Sequence, residues 1–323
     1  MGPIKSTERR RILLFMASDY AVKTVGLTKK YGDKVAVDGV DLLIPRGVAF
    51  GYLGPNGAGK TTLIRMLLGL TRATEGEMYL LGEKVPDNSG KALSRVGAIV
   101  EEPRFHGYMT AFDNLKIAAA VRGPEAEERI ASSLERVGLT DRANSKVSSY
   151  SLGMRQRLGI ARCLLNDPEL LILDEPMNGL DPAGIMEFRY LIRSFVEEGR
   201  TVVISSHLLD EIEKTCDAIS IVDRGRVVKQ GLLEELSGGF SGSVEVEVDD
   251  EALAIEVLSR MAEVGSVEVI APKALKFELI AGAKASQANS ELIKAGVLVE
   301  RLSPLKKSLE EEFLSITSNL GIR

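Results

Sequence analysis

The chain has 323 residues, enough for one large domain and a small one. Of these residues 45% are hydrophobic and 27% charged, which is typical of a globular protein. Its formal net charge of −5 gives no overall basic field, so a nucleic-acid partner is not expected. The two cysteines, Cys163 and Cys216, form no metal or redox motif and favour a reducing compartment without structural disulfides.

Residues 1–19 resemble a targeting signal only superficially. Basic residues precede the apolar stretch Ile12 to Ala17, which is shorter than the roughly 7–15 residues of a signal-peptide core. The opening MGPIKS fits the loose N-myristoylation pattern, but that pattern is short enough to arise by chance. We therefore expect residues 1–19 to be a disordered leader, the alternative being that translation starts at Met16. No apolar run in the sequence approaches the roughly 20 residues of a membrane-spanning helix.

A glycine-rich segment follows a predicted buried strand and precedes a helix with apolar periodicity. Glycines let backbone N–H groups turn toward phosphate oxygens, and the helix N-terminus adds partial positive charge. Lys60 would neutralise the β and γ phosphate oxygens, and the Thr61 hydroxyl would bind Mg²⁺. The alternative, a glycine-rich turn with a solvated lysine, is disfavoured by the strand and helix on either side. The G-x-x-x-x-G-K-[ST] pattern is formed by Gly54, Pro55, Asn56, Gly57, Ala58, Gly59, Lys60 and Thr61.

A second candidate anion site lies near residue 150, in the stretch SYSLGMRQR. Ser151 and Gly153 stand at the start of a run with helical spacing, the arrangement of a helix N-terminus that holds an anion. The chain already contains a phosphate loop, so this pattern by itself leaves the purpose of a second site open.

Two carboxylates follow a later apolar strand in the segment LLILDEP. Asp174, at the strand end, is placed to hold the hydration shell of Mg²⁺, and Glu175 is one step further out. Glu175 would polarise a water molecule for attack on the γ-phosphate. Alone, these residues would be read as a strand-end cap, but the upstream phosphate loop favours ATP hydrolysis.

A third predicted strand, residues 201–205, has Ser205, Ser206 and His207 at its carboxyl end. Open α/β sheets place their ligands at the carboxyl ends of strands. A lone histidine is more often structural than catalytic. The position of His207 nevertheless favours a contact with the γ-phosphate.

Taken in order, these segments resemble the nucleotide-binding subunit of an ATP-binding cassette (ABC) transporter over about residues 20–236. The resemblance implies an α/β P-loop cassette with a RecA-like core, an antiparallel β subdomain and a helical subdomain at about 103–165. It implies ATP and Mg²⁺ as cofactors, with Thr62 beside Thr61 at the nucleotide. It also places Tyr31 where an aromatic ring stacks on adenine, the alternative being an ordinary strand-end aromatic.

The resemblance also answers the question of the second anion site. In ABC ATPases two cassettes face head to tail, so the signature residues of one subunit bind the ATP held by the other. Asp181 would lie in a turn at the contact between the two cassettes. A separate multi-spanning permease would hold the dimer at the inner face of the cell membrane, on the cytoplasmic side. The signature residues here are Ser151, Leu152, Gly153 and Met154.

Two departures from the common family pattern indicate a branch of the family. Leu152 and Met154 replace residues of the usual LSGGQ signature, and SLGM followed by RQRLGIA resembles drug, lantibiotic and bacitracin-type exporters. Glu101 stands where many relatives carry Gln at a strand end. The resemblance implies that Glu101 reaches the Mg²⁺ shell and that its loop couples to the permease. A solvated strand end is the alternative.

Beyond the cassette, residues 237–242 have the composition of a linker. The hydrophobic spacing of residues 243–323 predicts a β-α-β-β-α-β order, which is that of a small ferredoxin-like α+β domain. A last helix is predicted to open at Ser303 and Pro304, with an apolar stripe favouring core packing or a dimer contact over ligand sensing. The stripe consists of Leu305, Leu309, Phe313, Ile316 and Leu320.

Three functional hypotheses remain. The leading one is the ATP-hydrolysing subunit of an exporter. A soluble ABC ATPase of translation or DNA repair is the alternative, but the second cassette, coiled coil or zinc-binding cysteines of such proteins are not found in the sequence. An inert binding module is disfavoured by the intact Lys60, Asp174, Glu175 and His207.

Overall fold

The computed structural model describes residues 19–237, 240–280 and 283–306. The chain divides into two compact units between Leu233 and Glu234. The predicted leader lies outside the described residues except for Asp19, and so does the predicted last helix beyond residue 306. In the described parts of the chain, no helix combines the length and apolar character needed to cross a membrane.

The first unit combines two sheets with a group of helices. Its strands are β1 (Tyr20–Tyr31), β2 (Lys34–Pro45), β3 (Ala49–Leu53), β4 (Glu75–Leu80), β5 (Glu83–Val85), β6 (Val96–Ile99), β7 (Leu170–Asp174), β8 (Thr201–Ser206), β9 (Ala218–Asp223) and β10 (Arg226–Leu232). Its helices are α1 (Lys60–Leu67), α2 (Ser89–Leu93), α3 (Ala111–Ala120), α4 (Pro124–Glu128), α5 (Ile130–Arg136), α6 (Leu152–Leu164), α7 (Pro182–Glu197) and α8 (Leu209–Thr215), and α9 (Leu233–Ser237) follows at the boundary.

The larger sheet has the strand order β10-β9-β3-β8-β7-β6, with β9 to β6 parallel and β10 antiparallel at one edge. Strands β3, β7 and β8 are buried along their whole length, which explains why their apolar residues are consecutive rather than alternating with polar ones. Because these three strands are parallel neighbours, their carboxyl ends meet at one edge of the sheet.

The smaller sheet is antiparallel, with the order β2-β1-β4-β5. Its buried face shares one core with the larger sheet and α1, in which Ile44, Phe50, Leu63 and Ile172 are all essentially inaccessible to solvent. Helices α3 to α6 follow where the sequence predicts the helical subdomain. The fold is therefore the predicted α/β cassette with an antiparallel β subdomain and a helical subdomain.

The second unit is a small α+β domain. Its elements are β11 (Phe240–Val248), α10 (Glu251–Arg260), β12 (Val264–Ala271), β13 (Ala274–Leu279), α11 (Ala285–Lys294) and β14 (Val299–Lys306). The antiparallel sheet has the order β12-β13-β11-β14, the arrangement of a ferredoxin-like sandwich. Side chains from the sheet and both helices form its core, including Val246, Leu258, Phe277 and Leu292.

Two predictions at the ends of this unit are wrong. Strand β11 begins at Phe240, inside the segment 237–242 that its composition predicts as a linker. Ser303 and Pro304 do not open a helix but lie in β14, where they pair with Glu245 and Val244. Because β14 is an edge strand, a proline there need not break a hydrogen-bonded ladder, and strand pairing outweighs the local cap signal.

Candidate nucleotide-binding site

The loop between β3 and α1 can be built only with glycine at two positions. A side chain on Gly59 would place its Cβ 2.2 Å from the carbonyl oxygen of Ala36, and the residue has a φ of 97°. At Gly54 a Cβ would lie 2.4 Å from the carbonyl oxygen of Val222. The loop therefore packs closely against β2 and β9 while leaving its N–H groups at the start of α1 without a side-chain cap.

Lys60, the first residue of α1, is only 5% exposed. Its Nζ donates hydrogen bonds to the carbonyl oxygens of Gly54 at 2.8 Å and Pro55 at 3.1 Å. The same atom lies 3.1 Å from Oε1 of Glu175. The ammonium group is thus held beneath the loop, paired with the carboxylate that the sequence predicts as the catalytic base.

Asp174 and Glu175 lie where β7 ends, and both are fixed by Ser205 on β8. Asp174 is 2% exposed, and its Oδ1 accepts a hydrogen bond of 2.5 Å from the Ser205 hydroxyl. The backbone N–H of Glu175 donates to Oγ of Ser205 at 2.9 Å and to its carbonyl oxygen at 3.2 Å. Glu175 has a φ of 48°, so the chain turns out of the strand through a left-handed conformation that non-glycine residues seldom adopt.

His207 follows β8 and completes this cluster. Its Nδ1 lies 2.6 Å from Oε2 of Glu175, so the Glu175 carboxylate is in contact with Lys60 through one oxygen and with His207 through the other. Lys60 comes from the start of α1, after the loop that follows β3, and the other residues come from the carboxyl ends of β7 and β8. The structure therefore brings together the four residues for which the sequence predicts roles in ATP hydrolysis.

A cleft of about 370 Å³ opens beside these residues and reaches the start of α6. Gln156 is 4% exposed in this cleft, and its side-chain carbonyl oxygen has no hydrogen-bond partner within the described residues. The lining residues are Thr61, Glu101, Glu102, Leu152, Gln156, Asp174, Glu175 and Asn178.

The donors of this cleft are suited to Mg²⁺. The Thr61 hydroxyl and the carboxylates of Asp174 and Glu101 are hard oxygen ligands, and no histidine or cysteine is among the residues lining the cleft. The parts of the chain that the structure describes contain no group of three or more His, Cys, Asp or Glu arranged to hold a metal. Mg²⁺ is commonly bound by one or two protein ligands, and phosphate oxygens and water complete its coordination.

Glu101 has a φ of 60° and forms an ion pair with Arg65 on α1. The adjacent Glu102 lies 3.5 Å from Arg155 on α6. The segment 101–102 thus connects the helix that begins at the phosphate loop with the helix that begins at the signature. Sequence reasoning missed Arg65, although its position four residues after Thr61 on the same helix placed it within reach of the cleft.

The signature residues lie at the start of α6. Ser151 is exposed and caps this helix, since its Oγ accepts a hydrogen bond of 3.2 Å from the Met154 N–H. The side chain of Leu152 lies close to the turn that precedes α7, and a Cβ on Gly179 would be 3.0 Å from it. Ser151 itself is not among the residues that line the cleft of its own chain.

Asp181 and Tyr31 occupy the two remaining predicted positions. Asp181 is the exposed N-cap of α7, and its Oδ1 accepts a hydrogen bond of 2.9 Å from the Gly184 N–H. The side chain of Tyr31, at the end of β1, is 49% exposed, and Nζ of Lys29 lies 4.8 Å from its ring centroid. The hairpin of β1 and β2 passes against the phosphate loop at Ala36, so this exposed ring belongs to an element that contacts the loop.

Known proteins are similar to this chain in sequence and in fold. The sequence profile of the ABC transporter family matches residues 37–178. The bacitracin transport ATP-binding protein BcrA of Enterococcus faecalis is 37% identical over 308 residues, which covers 95% of this chain and 99% of that protein.

Two solved structures match the cassette. The cbiO1 protein of Clostridium perfringens, described as part of the ABC transporter complex cbiONQ, matches with a TM-score of 0.63 and 29% identity, over 68% of this chain and 91% of that one. A dimeric ATP-binding cassette in a post-hydrolysis state, bound to ADP and Pi, matches with a TM-score of 0.59 and 28% identity, over 66% of this chain and 98% of that one.

The fold and the site together define a P-loop nucleotide-binding cassette. The chain belongs to the family of ABC transporter ATP-binding proteins, whose cassettes hydrolyse ATP. The predicted family and its exporter branch are confirmed by the relative named for bacitracin transport.

Proposed function

We propose that this protein hydrolyses ATP to energise a separate membrane permease that exports a peptide antibiotic or a related drug. The observation that carries the proposal is the contact of the Glu175 carboxylate with both Lys60 and His207 at the carboxyl ends of parallel strands. The near full-length similarity to a bacitracin transport ATP-binding protein supports the exporter assignment and favours it over a soluble ATPase of translation or DNA repair.

In this proposal the phosphate loop binds the ATP phosphates through its N–H groups and Lys60. The Lys60 ammonium leaves its loop carbonyl partners and turns to the β and γ phosphates, exchanging neutral acceptors for charged ones. Thr62 contacts the phosphates beside Thr61, and the Tyr31 ring stacks on adenine. Thr61, Asp174 and Glu101 are the residues that would hold Mg²⁺, which supplies charge neutralisation at the phosphates.

Glu175 accepts the proton of the water molecule that attacks the γ-phosphate, and the products are ADP and phosphate. The imidazole of His207, within hydrogen-bond distance of Glu175 Oε2, orients this carboxylate and reaches the γ-phosphate. When Lys60 binds the ATP phosphates, its contact with Oε1 of Glu175 is broken, and this oxygen becomes available to the water molecule.

Two copies of the cassette form the working unit in this proposal, as the dimeric solved cassette supports. The residues Ser151 to Met154 of one copy bind the ATP held by the other, and the Asp181 turn lies at the contact between them. The exposure of Ser151 favours this arrangement. Each charge-assisted hydrogen bond to the γ-phosphate would contribute about 1.5–3 kcal/mol, so losing that phosphate weakens the dimer.

The permease docks, in this proposal, beside the loop that follows Glu101, and it holds the protein at the cytoplasmic face of the membrane. A groove of about 340 Å³ lined by Phe105, Ile117 and Arg162, among others, lies next to this loop. Tyr108 and Val121 expose apolar surface nearby in sequence, with 73% and 83% of each residue accessible. Apolar surface of this kind is typical of a protein interaction site.

The proposal is tested by gene disruption with complementation. We expect cells that lack the gene to become more sensitive to a peptide antibiotic of the bacitracin class, and the wild-type gene to restore resistance. The Glu175→Gln variant, produced at the same level, should not restore it. Equal resistance with wild type and Glu175→Gln would refute an ATP-driven export function, whereas a growth or translation defect without any change in drug sensitivity would favour the soluble ATPase.

A further inference from the structure

A buried serine on β8 contacts both carboxylate residues of the site, and neither its sequence position nor the family pattern singled it out. Ser205 is completely inaccessible to solvent and stands opposite Asp174 in the β7–β8 register. Its hydroxyl donates to Oδ1 of Asp174 at 2.5 Å and accepts from the N–H of Glu175 at 2.9 Å. One oxygen atom therefore fixes a side chain and the neighbouring backbone relative to each other.

The environment makes these two hydrogen bonds hard to replace. A serine hydroxyl has a single O–H to donate, and here it is directed to an acceptor that is itself only 2% exposed. Ser205 has no accessible surface, so removing the hydroxyl takes away a buried donor from a carboxylate that is itself buried.

The hydrogen bond from the Glu175 N–H to the Ser205 hydroxyl matters because of the backbone conformation of Glu175. At a φ of 48° a glutamate pays a conformational cost that surrounding contacts must offset. The N–H of this residue is held by Ser205 through both the hydroxyl and the carbonyl oxygen. Its side chain lies between Lys60 and His207, so a relaxed backbone would move the carboxylate away from these partners.

We propose that Ser205 is a positioning residue for ATP hydrolysis, which fixes the Asp174 carboxylate and holds Glu175 in its left-handed conformation. The inference rests on the roles proposed above for Asp174 and Glu175. Ser205 is completely buried and acts through these two residues.

The test compares Ser205→Ala with Ser220→Ala. Ser220 is also completely buried, on β9 of the same sheet, and its hydroxyl donates to Oε1 of Gln230 at 3.1 Å, away from the carboxylates. Both variants remove one buried hydroxyl, which makes two hydrogen bonds at Ser205 and one at Ser220, so thermal unfolding reports the structural cost of each loss. Steady-state ATPase kinetics then separate that cost from an effect on the site.

We expect kcat of Ser205→Ala to fall at least about tenfold while KM for ATP stays within about threefold, because the loss concerns positioning of the reacting groups rather than phosphate binding. The Mg²⁺ concentration for half-maximal activity should rise, and so should the Kd for Mn²⁺ measured by electron paramagnetic resonance with ATP bound. Ser220→Ala should change none of these values by more than about twofold.

Ser205→Thr keeps the hydroxyl and should recover most of the lost kcat. If Ser205→Ala does not fold, Ser205→Cys carries the same expectation, since it nearly keeps the volume and offers only a weak donor. A kcat for Ser205→Ala equal to that of Ser220→Ala overturns the inference. It is overturned as well if Thr is no better than Ala, because the hydroxyl is then not the cause.

Glu175→Gln is assayed in parallel to separate this inference from the proposed function. If Glu175→Gln hydrolyses ATP at the wild-type rate, the role of Glu175 is wrong and the inference falls with it. If Glu175→Gln is inactive while Ser205→Ala is fully active, only the role of Ser205 is overturned.

Discussion

The N-termini of α1 and α6 are both predicted to bind phosphate, and they are prepared for it in different ways. At α1 the N-cap is Gly59, which offers no side-chain acceptor, and the buried Lys60 lies beneath the loop. At α6 the N-cap is Ser151, whose hydroxyl already accepts the N–H of Met154. The N–H groups at the start of α1 therefore have no side-chain acceptor and can bind a ligand, whereas at α6 the Met154 N–H already donates to Ser151.

This difference indicates how one sequence can build two halves of a site. A helix start with free N–H groups and a lysine can hold the nucleotide alone, so α1 provides the primary binding determinant. A self-capped helix start can be stable in a free subunit and still turn its hydroxyl to a phosphate that the partner brings. The segment 101–102 lies between the two, with Glu101 paired to Arg65 on α1 and Glu102 near Arg155 on α6.

The largest effect expected is on the α1 side. Lys60→Ala removes the only side-chain cation that the structure places in the phosphate loop, leaving N–H donors against several negative charges. We expect ATP affinity to fall at least about 100-fold, as measured by calorimetry. Lys214→Ala, at an exposed lysine paired with Asp210, is the control and should bind ATP normally. Near-wild-type affinity of Lys60→Ala would contradict the phosphate-loop assignment.

Glu175→Gln should keep ATP binding but reduce kcat by about 10²–10⁴-fold, because the amide preserves the shape while losing the basicity needed to accept a proton. With ATP this variant should form a dimer by size-exclusion chromatography, and with ADP it should not. A monomer in both conditions at micromolar concentration would count against binding of ATP between two cassettes.

On the α6 side, Ser151→Arg should leave ATP binding by the single subunit within about twofold of wild type, since α1 binds the nucleotide alone. It should block dimer closure by adding bulk where the partner's γ-phosphate would lie. Mixing Ser151→Arg with Lys60→Ala subunits should restore part of the ATPase activity, because the mixed dimer retains one intact composite site. Loss of ATP binding by the Ser151→Arg monomer would instead place the signature in the site of its own chain.

The smallest effect is expected at the segment that connects the two helices. Glu101→Gln removes an attraction to Mg²⁺ and a repulsion from the γ-phosphate together, and at an effective dielectric constant of about 20 each is roughly 4 kcal/mol at 4 Å. We expect the ATPase of the isolated subunit to stay within about tenfold of wild type.

Export by the full complex should fall more than ATPase in Glu101→Gln, because the variant also breaks the ion pair with Arg65. Arg65→Gln removes the same ion pair from the other side and should reproduce the loss of export. Equal losses of ATPase and export in Glu101→Gln would make Glu101 a catalytic residue alone, and no loss in either assay would make it a solvated strand end.

Local patterns were sufficient for most of the fold. The apolar runs of β3, β7 and β8 and the periodicity of α1 and α6 can be read directly, because burial on two faces and helical spacing are properties of contiguous residues. The prediction at Ser303 and Pro304 is wrong for the complementary reason. A cap signal is local, while the pairing of Pro304 with Val244 depends on a strand 60 residues earlier in the chain.

The sequence by itself determined the family, the phosphate loop and the order of the residues that follow three strands. These features lie in short contiguous segments, and the residue spacing within each segment predicts which groups contact a phosphate. Only the tertiary structure decided that Lys60 pairs with Glu175, that Glu101 pairs with Arg65, and that Ser205 holds Asp174 and Glu175. These contacts depend on strand order and register, because Ser205 and Asp174 are 31 residues apart and meet only when β7 and β8 lie side by side.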